Sequence, residues 1–131
     1  MKLYVYLFLV TSIVFLIIDG LWLGFIAKPF YEKYIGGLLK PVNLLPAIIF
    51  YVIYVVGMIV FVINPNLSNF DLLKTLATGF FFGVICYATY DLTNMATIKG
   101  WVWSITIVDI IWGGKVTMVT TTLVTYLFRG V

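Results

Sequence analysis

Long apolar runs separated by short polar segments dominate the chain. Four runs stand out: Leu3 to Ala27, Asn43 to Ile63, Phe70 to Met95, and Trp101 to Phe128. A helix needs about 20 apolar residues to cross the hydrocarbon core of a bilayer, and each run is long enough. The pattern therefore predicts an all-α integral membrane bundle of four transmembrane helices, with residues 1–131 forming a single transmembrane domain.

The connections between these runs are short. The first, KPFYEKYIGGLLKP, is the longest and most charged, and its aromatic residues predict a short helix or a strand of chain lying in the membrane interface. The second, NPNLSN, is typical of a polar turn, because proline and asparagine stop helices. Since Asp19 interrupts the first run and no small-residue cleavage site follows, we expect a retained span and not a cleaved signal peptide.

The composition agrees with a membrane location and limits the chemistry. Hydrophobic residues make up 63% of the chain and charged residues 10%, against about half and about a quarter in globular proteins. Histidine is absent, which excludes imidazole-based catalysis and imidazole metal sites. Cys86 lies in an apolar run, so a buried, inert thiol is expected. We expect no cofactor and no metal, and an enzymatic role is the less favoured interpretation.

The basic residues indicate topology, and no nucleic-acid partner is expected. The net charge is +3, but no basic stripe follows one face as a phosphate backbone would require. The positive-inside rule favours both termini outside the cytoplasm, because more lysines lie in the first and third loops than on the opposite side. The first group is Lys28, Lys33, Lys40 and Lys99, and the second is Lys2, Lys74 and Arg129.

Three aspartates fall inside the predicted spans. Each lies eight to ten residues from a lysine of the first or third loop, which is roughly 12 to 15 Å along a helix. Because antiparallel spans alternate direction, those two loops share one face of the membrane, so the aspartates share one layer. Two tyrosines of the second span, counted inward from Lys40, reach about the same layer or lie slightly deeper. The members of this predicted layer are Asp19, Asp91, Asp109, Tyr51 and Tyr54.

The layer is the candidate site. A charged residue at the centre of a membrane helix costs about 2.5 to 3.5 kcal/mol, and such residues usually face the bundle interior and mark a pathway or site. Three ionised carboxylates would repel one another, so at least one is expected to be protonated, or the group shares protons or a cation. The candidate ligand-binding or proton-binding residues are Asp19, Trp22, Tyr51, Tyr54, Tyr87, Tyr90, Asp91, Asn94, Asp109, Trp112 and Lys115. Lys115, the internal base, is predicted to reach a carboxylate of another helix.

Small residues and a short repetition suggest how the helices meet. Gly79 and Gly83 lie on the same face of the third span as Tyr87 and Asp91, and a G-x-x-x-G pattern lets another helix approach closely. That pair, or Gly20/Gly24, is a candidate surface for a homo-oligomer. The sequences DGLWLG and DIIWGG both have the form D-x-x-W-x-G. This match indicates an inverted repeat of the transporter kind, although chance or a shared packing requirement explains it equally well.

The same segments carry a family resemblance. DGLWLG, FYVIYVVG, YATYDLTNMATIKGW and DIIWGG together resemble a family of bacterial four-helix membrane proteins catalogued as a domain of unknown function. The resemblance covers essentially the whole chain. It implies a four-helix fold in the bacterial inner membrane and adds no mechanism.

Three classes of function stay open at this point. We favour a transporter-like or ligand-binding bundle, whose aspartate layer handles protons and a small cationic or amphipathic ligand between aromatic walls. A structural or assembly subunit would use the same layer only to dock helices. A membrane enzyme acting on lipid would use one aspartate as acid and another as base.

Overall fold

The chain folds into four long membrane-spanning helices. The structure, a computed structural model, describes residues 1–38 and 44–130. The helices are α1 (Lys2–Ile35), α2 (Leu44–Leu67), α3 (Leu72–Thr97) and α4 (Trp103–Phe128), each long and apolar enough to cross a membrane. The described ranges contain no β-strand. This confirms the prediction of an all-α transmembrane bundle; Lys40 and Asn43, used above to place the second span, lie outside the described residues.

Helix α1 is longer than the sequence pattern indicated. The first run was expected to end at Ala27, but a π-helical segment, Trp22–Ala27, leads directly into a further α-helical segment, Lys28–Ile35. Pro29 explains the π-helical segment, because a proline ring clashes with the carbonyl group four residues earlier and wider turns relieve the clash. The first connection therefore begins as helix. At 34 residues and about 51 Å, α1 exceeds the apolar thickness of about 30 Å.

Helix α2 repeats this arrangement. A π-helical segment, Ile59–Ile63, precedes Pro65, and the helix continues to Leu67. Four of the six residues of the expected NPNLSN turn are therefore helical, and the chain turns only after Leu67. Asp71 then starts α3 by accepting a hydrogen bond from the backbone N–H of Lys74 at 3.2 Å, as helix N-caps do.

Helices α3 and α4 form the most tightly packed pair. A Cβ atom added at Gly83 would overlap the backbone carbonyl of Gly113, and one added at Gly79 would overlap the hydroxyl of Thr121. Small residues thus let the two backbones touch, as G-x-x-x-G patterns allow. The Gly79/Gly83 face is occupied within the chain and is not free for an oligomer. Gly20 and Gly24 have no neighbour within 4 Å of their added Cβ atoms.

Helices α1 and α2 complete the core against α4. Apolar side chains of α1, α2 and α4 are buried together, while the outward faces carry many exposed leucine, isoleucine and phenylalanine side chains. Such faces suit contact with lipid. The backbone N–H of Gly130 also donates to the carbonyl of Leu67 at 3.0 Å, which joins the end of α4 to the end of α2. The buried core residues include Leu7, Phe15, Met58, Ile63, Val116 and Val124.

Replacing Gly83 should therefore be costly. We expect Gly83→Ala to lower the free energy of unfolding in detergent by about 1 to 3 kcal/mol, because the new methyl group forces α3 and α4 apart. Gly20→Ala is the matched control, since its site is open and alanine favours helix by about 1 kcal/mol. Equal stability of the two variants would contradict the packing described for α3 and α4.

Candidate functional site

Asp19 joins three helices through its two carboxyl oxygens. The hydroxyl of Tyr51 on α2 donates to Oδ2 at 3.1 Å, and the indole Nε1–H of Trp112 on α4 donates to Oδ1 at 3.0 Å. The aspartate side chain is buried. Hydrogen bonds to a carboxylate are stronger than neutral ones, so this aspartate is well compensated inside the bundle.

The two D-x-x-W elements meet in the structure. The rings of Trp22 and Trp112 stack with their centroids 4.4 Å apart and their planes 8° apart. Only one of the two possible cross-connections is made, from Trp112 to Asp19. The buried Nε1–H of Trp22 has no hydrogen-bond acceptor among the described residues, and Asp109 receives no hydrogen bond from them. The pair of elements therefore retains one free donor and one free acceptor.

Asp91 is the least compensated group in the layer. Its side chain is completely buried, and neither carboxyl oxygen has a hydrogen-bond partner in the described part of the chain. Gly83 packs on Gly113, and the Thr106 hydroxyl contacts Met95, so the antiparallel register sets Asp91 level with Asp109. Most buried polar atoms in proteins have a partner, and a buried polar group without one is costly. Asp91 therefore requires a proton, a ligand or both.

Aromatic rings line the interior on the deeper side of the carboxyl layer. The Tyr54 hydroxyl is hydrogen-bonded to the hydroxyl of Thr117 on α4. Its ring meets that of Tyr87 edge to face, with centroids 6.2 Å apart, and packs on Phe15 at 5.3 Å. The Tyr87 ring lies directly against Gly113. These tyrosines thus form a rigid wall shared by all four helices.

An apolar groove opens beside this wall. Phe50 of α2 and Cys86, Tyr87 and Tyr90 of α3 enclose about 390 Å³. The side chain of Tyr90 is 58% exposed, so the groove faces the lipid side of the bundle. Asp91 follows Tyr90 directly on α3, on the neighbouring buried face. A buried carboxyl group and an apolar groove therefore lie on neighbouring faces of one helix.

Two further predicted site residues, Asn94 and Lys115, lie away from this centre. Asn94 is half-buried near the end of α3, where its backbone carbonyl accepts from Ile98 N–H at 2.8 Å. Tyr90 packs edge to face on Trp101, with centroids 6.0 Å apart. Lys115 is exposed on the outside of α4, and no ion pair joins it to a carboxylate of the described residues. The predicted pairing of Lys115 with an aspartate is therefore not present.

Two residues that contact or line the candidate site, Thr117 and Phe50, were not predicted from the sequence. Thr117 bonds to Tyr54 and packs against Gly83, and it was not among the predicted site residues. The hydroxyl of Thr121, by contrast, bonds within α4 and donates to the Thr117 carbonyl at 2.7 Å. The four-residue spacing from Asp109 through Gly113 to Thr117 could have identified this face. Phe50, which lines the groove, carried no signal that separated it from other apolar residues.

The three aspartates form a layer and not a compact cluster. Within residues 1–38 and 44–130, no group of three acidic or thiol side chains is arranged to hold a metal ion. Asp19 sits on α1, Asp91 on α3 and Asp109 on α4, with aromatic side chains between the helices.

Comparison with known proteins identifies one matching family of membrane proteins. A family described as "Predicted membrane protein (DUF2177)" matches residues 4–127. No curated protein and no solved structure matches the chain at a significant level. The family description and the four apolar helices agree that this is an integral membrane protein in contact with the lipid bilayer.

Removing one of the two hydrogen-bond donors to Asp19 should lower the stability of the bundle. We expect Tyr51→Phe to lower the free energy of unfolding in detergent by about 0.6 to 1.7 kcal/mol, from the average to the largest value measured for hydrogen bonds between membrane helices. Tyr6→Phe is the matched control, because Tyr6 is exposed and its hydroxyl has no partner among the described residues. If both variants unfold alike, the Tyr51–Asp19 bond does not stabilise the fold.

Proposed function

The chain belongs to the DUF2177 family of predicted membrane proteins, and we propose that it binds a small amphipathic cation at its intramembrane aspartate layer, in competition with protons. The observation that carries this proposal is Asp91, a completely buried carboxyl group without a hydrogen-bond partner among the described residues. Inside a membrane such a group is usually functional. A cation or a proton is the species that compensates it.

The chemistry of the surroundings favours a cation. Asp109 also receives no hydrogen bond from the described residues, so two carboxyl groups on facing helices are available to one ligand. The internal base that could have neutralised them, Lys115, lies on the outside of α4. A positively charged group bound between α3 and α4 at this level would compensate whichever of the two carboxyl groups is ionised. With one of the two carboxyl groups protonated, a single positive charge would also make the site electrically neutral.

The aromatic residues supply the other half of the binding surface. The stacked pair of Trp22 and Trp112 presents indole faces of the kind that attract organic cations. The groove lined by Phe50, Cys86, Tyr87 and Tyr90 has a volume of about 390 Å³, within the range of small-molecule sites. A ligand with a cationic head and an apolar tail would place its head at the carboxylates and its tail in this groove.

Competition with protons would couple ligand binding to the protonation of Asp91. An ionised Asp91 attracts a cation, whereas a protonated one does not, so a proton and the ligand weaken each other's binding by the same factor. Exchange of one for the other across the membrane would amount to transport. In the orientation that the lysine distribution favours, with both termini outside the cytoplasm of a bacterial inner membrane, the layer lies nearer the cytoplasmic surface.

Asp19 is better explained as part of the scaffold. Tyr51 and Trp112 already satisfy its two oxygens, so it needs no ligand. Its hydrogen bond also fixes the orientation of Trp112 and hence of the tryptophan stack. The layer thus combines one structural aspartate with two aspartates that are free to bind.

Molecules retained by the purified protein test the ligand proposal. We expect mass spectrometry of wild-type protein from native membranes to detect a defined amphipathic cation that is lost from Asp91→Asn. The matched control is Asp71→Asn, which changes an exposed helix cap into another good cap and should keep the ligand. If all three preparations retain the same molecules, Asp91 does not bind a ligand.

The pH dependence tests the competition. Using the lipophilic cation tetraphenylphosphonium as probe, we expect affinity to rise with pH in wild type, because loss of the proton leaves a carboxylate for the cation. Calorimetry in two buffers of different ionisation enthalpy should then show proton release on binding. In Asp91→Asn both effects should shrink. Binding that is equally tight at every pH would contradict proton competition.

A further inference from the structure

Lys115 lies at the middle of a membrane span and on its outer surface. It follows Trp103 by twelve residues and precedes Phe128 by thirteen, so each helix end is about 18 to 20 Å away. The side chain is exposed. Because the hydrocarbon core is about 30 Å thick, the amino group originates close to the bilayer centre.

The neighbours of Lys115 on this face are apolar. Four large aliphatic residues recur at four-residue intervals along the same side of α4, and all are 43% to 52% exposed. A lysine in such a stripe is unusual, because charged residues within membranes almost always face the bundle interior and pair. The residues of this α4 stripe are Ile107, Ile111, Lys115, Val119 and Leu123.

Nothing in the described part of the chain compensates this charge. Asp19, Asp91 and Asp109 are all buried inside the bundle, and none forms an ion pair with Lys115. Lipid phosphates lie at the membrane surface, and the flexible four-carbon stem of lysine covers only part of that distance. The compensating group must therefore come from outside the chain and lie near the bilayer centre.

We propose that the α4 stripe docks a transmembrane helix of a different protein that carries an aspartate or glutamate near its middle. Charge complementarity selects this partner. A second copy packed symmetrically through the same stripe would bring two lysines together, since the two would lie at equal depth. Other faces of a second copy offer no acid either, because the exposed acidic residues among those described, Glu32 and Asp71, lie near helix ends. The inference does not depend on the ligand proposed for Asp91.

A model helix provides a direct test. Full-length protein and a labelled leucine-rich transmembrane peptide with one central aspartate are reconstituted in vesicles, and their association is followed by energy transfer. We expect the aspartate peptide to bind wild type about tenfold more tightly than the same peptide with a central leucine, the size of a polar contact between model membrane helices. Lys115→Leu should abolish this preference and Lys115→Arg should keep it. Lys74→Leu, at the exposed start of α3, is the control and should also keep it.

The natural occupant is then identified by crosslinking in cells. A photoreactive residue at Ile111 should capture a transmembrane segment with a central acidic residue, and Lys115→Leu should reduce that product. Equal binding of both peptides by wild type would overturn the proposal. So would crosslinks at Ile111 that reach only lipid, a second copy of this chain, or a helix without an acidic residue.

Discussion

Water is absent from the bilayer core, so each polar group there needs its partner within protein or ligand. This constraint explains the connections made by the polar side chains of the bundle. Asp19 is held by Tyr51 and Trp112, and Tyr54 is held by Thr117. Each bond runs between helices, so satisfying the polar groups also fixes the helices relative to one another. Buried polar groups that have no hydrogen-bond partner among the described residues, Asp91 above all, are therefore exceptions that need an explanation.

The close contact of α3 with α4 makes this arrangement possible. With glycines at positions 83 and 113, the two backbones touch and the Tyr87 ring lies directly against α4. A larger residue at either position would separate the helices and displace that ring. Asp91 and Asp109 lie along the same contact at one depth. The packing of small residues thus sets the spacing of the two helices that carry these carboxyl groups.

Much of the fold follows from the sequence, because lipid imposes simple rules. An apolar run of sufficient length must span, and a rise of about 1.5 Å per residue fixes the depth of Asp19, Asp91 and Asp109. The continuation of α1 past Pro29 did not follow, because the rule that proline ends helices does not include the relief provided by a π-helical segment. The outward orientation of the Lys115 side chain could not be predicted from the sequence either. Rotation of a helix about its axis depends on its neighbours, and an apolar helix such as α4 gives little periodic signal to fix it.

The opposite charges that α4 carries within the membrane lie on different sides of the helix. Asp109 and Trp112 face the bundle, while Lys115, only three residues beyond Trp112, faces lipid. Among the described residues, the buried aspartates have no basic partner and Lys115 on the outside has no acidic one. The chain therefore requires a cation or protons inside the bundle and an acidic group outside it. Both requirements act on the same helix. A partner helix that shifted α4 through Lys115 would also move Trp112, and with it the stack on Trp22 and the hydrogen bond to Asp19. Binding outside the bundle would thereby alter the site inside it.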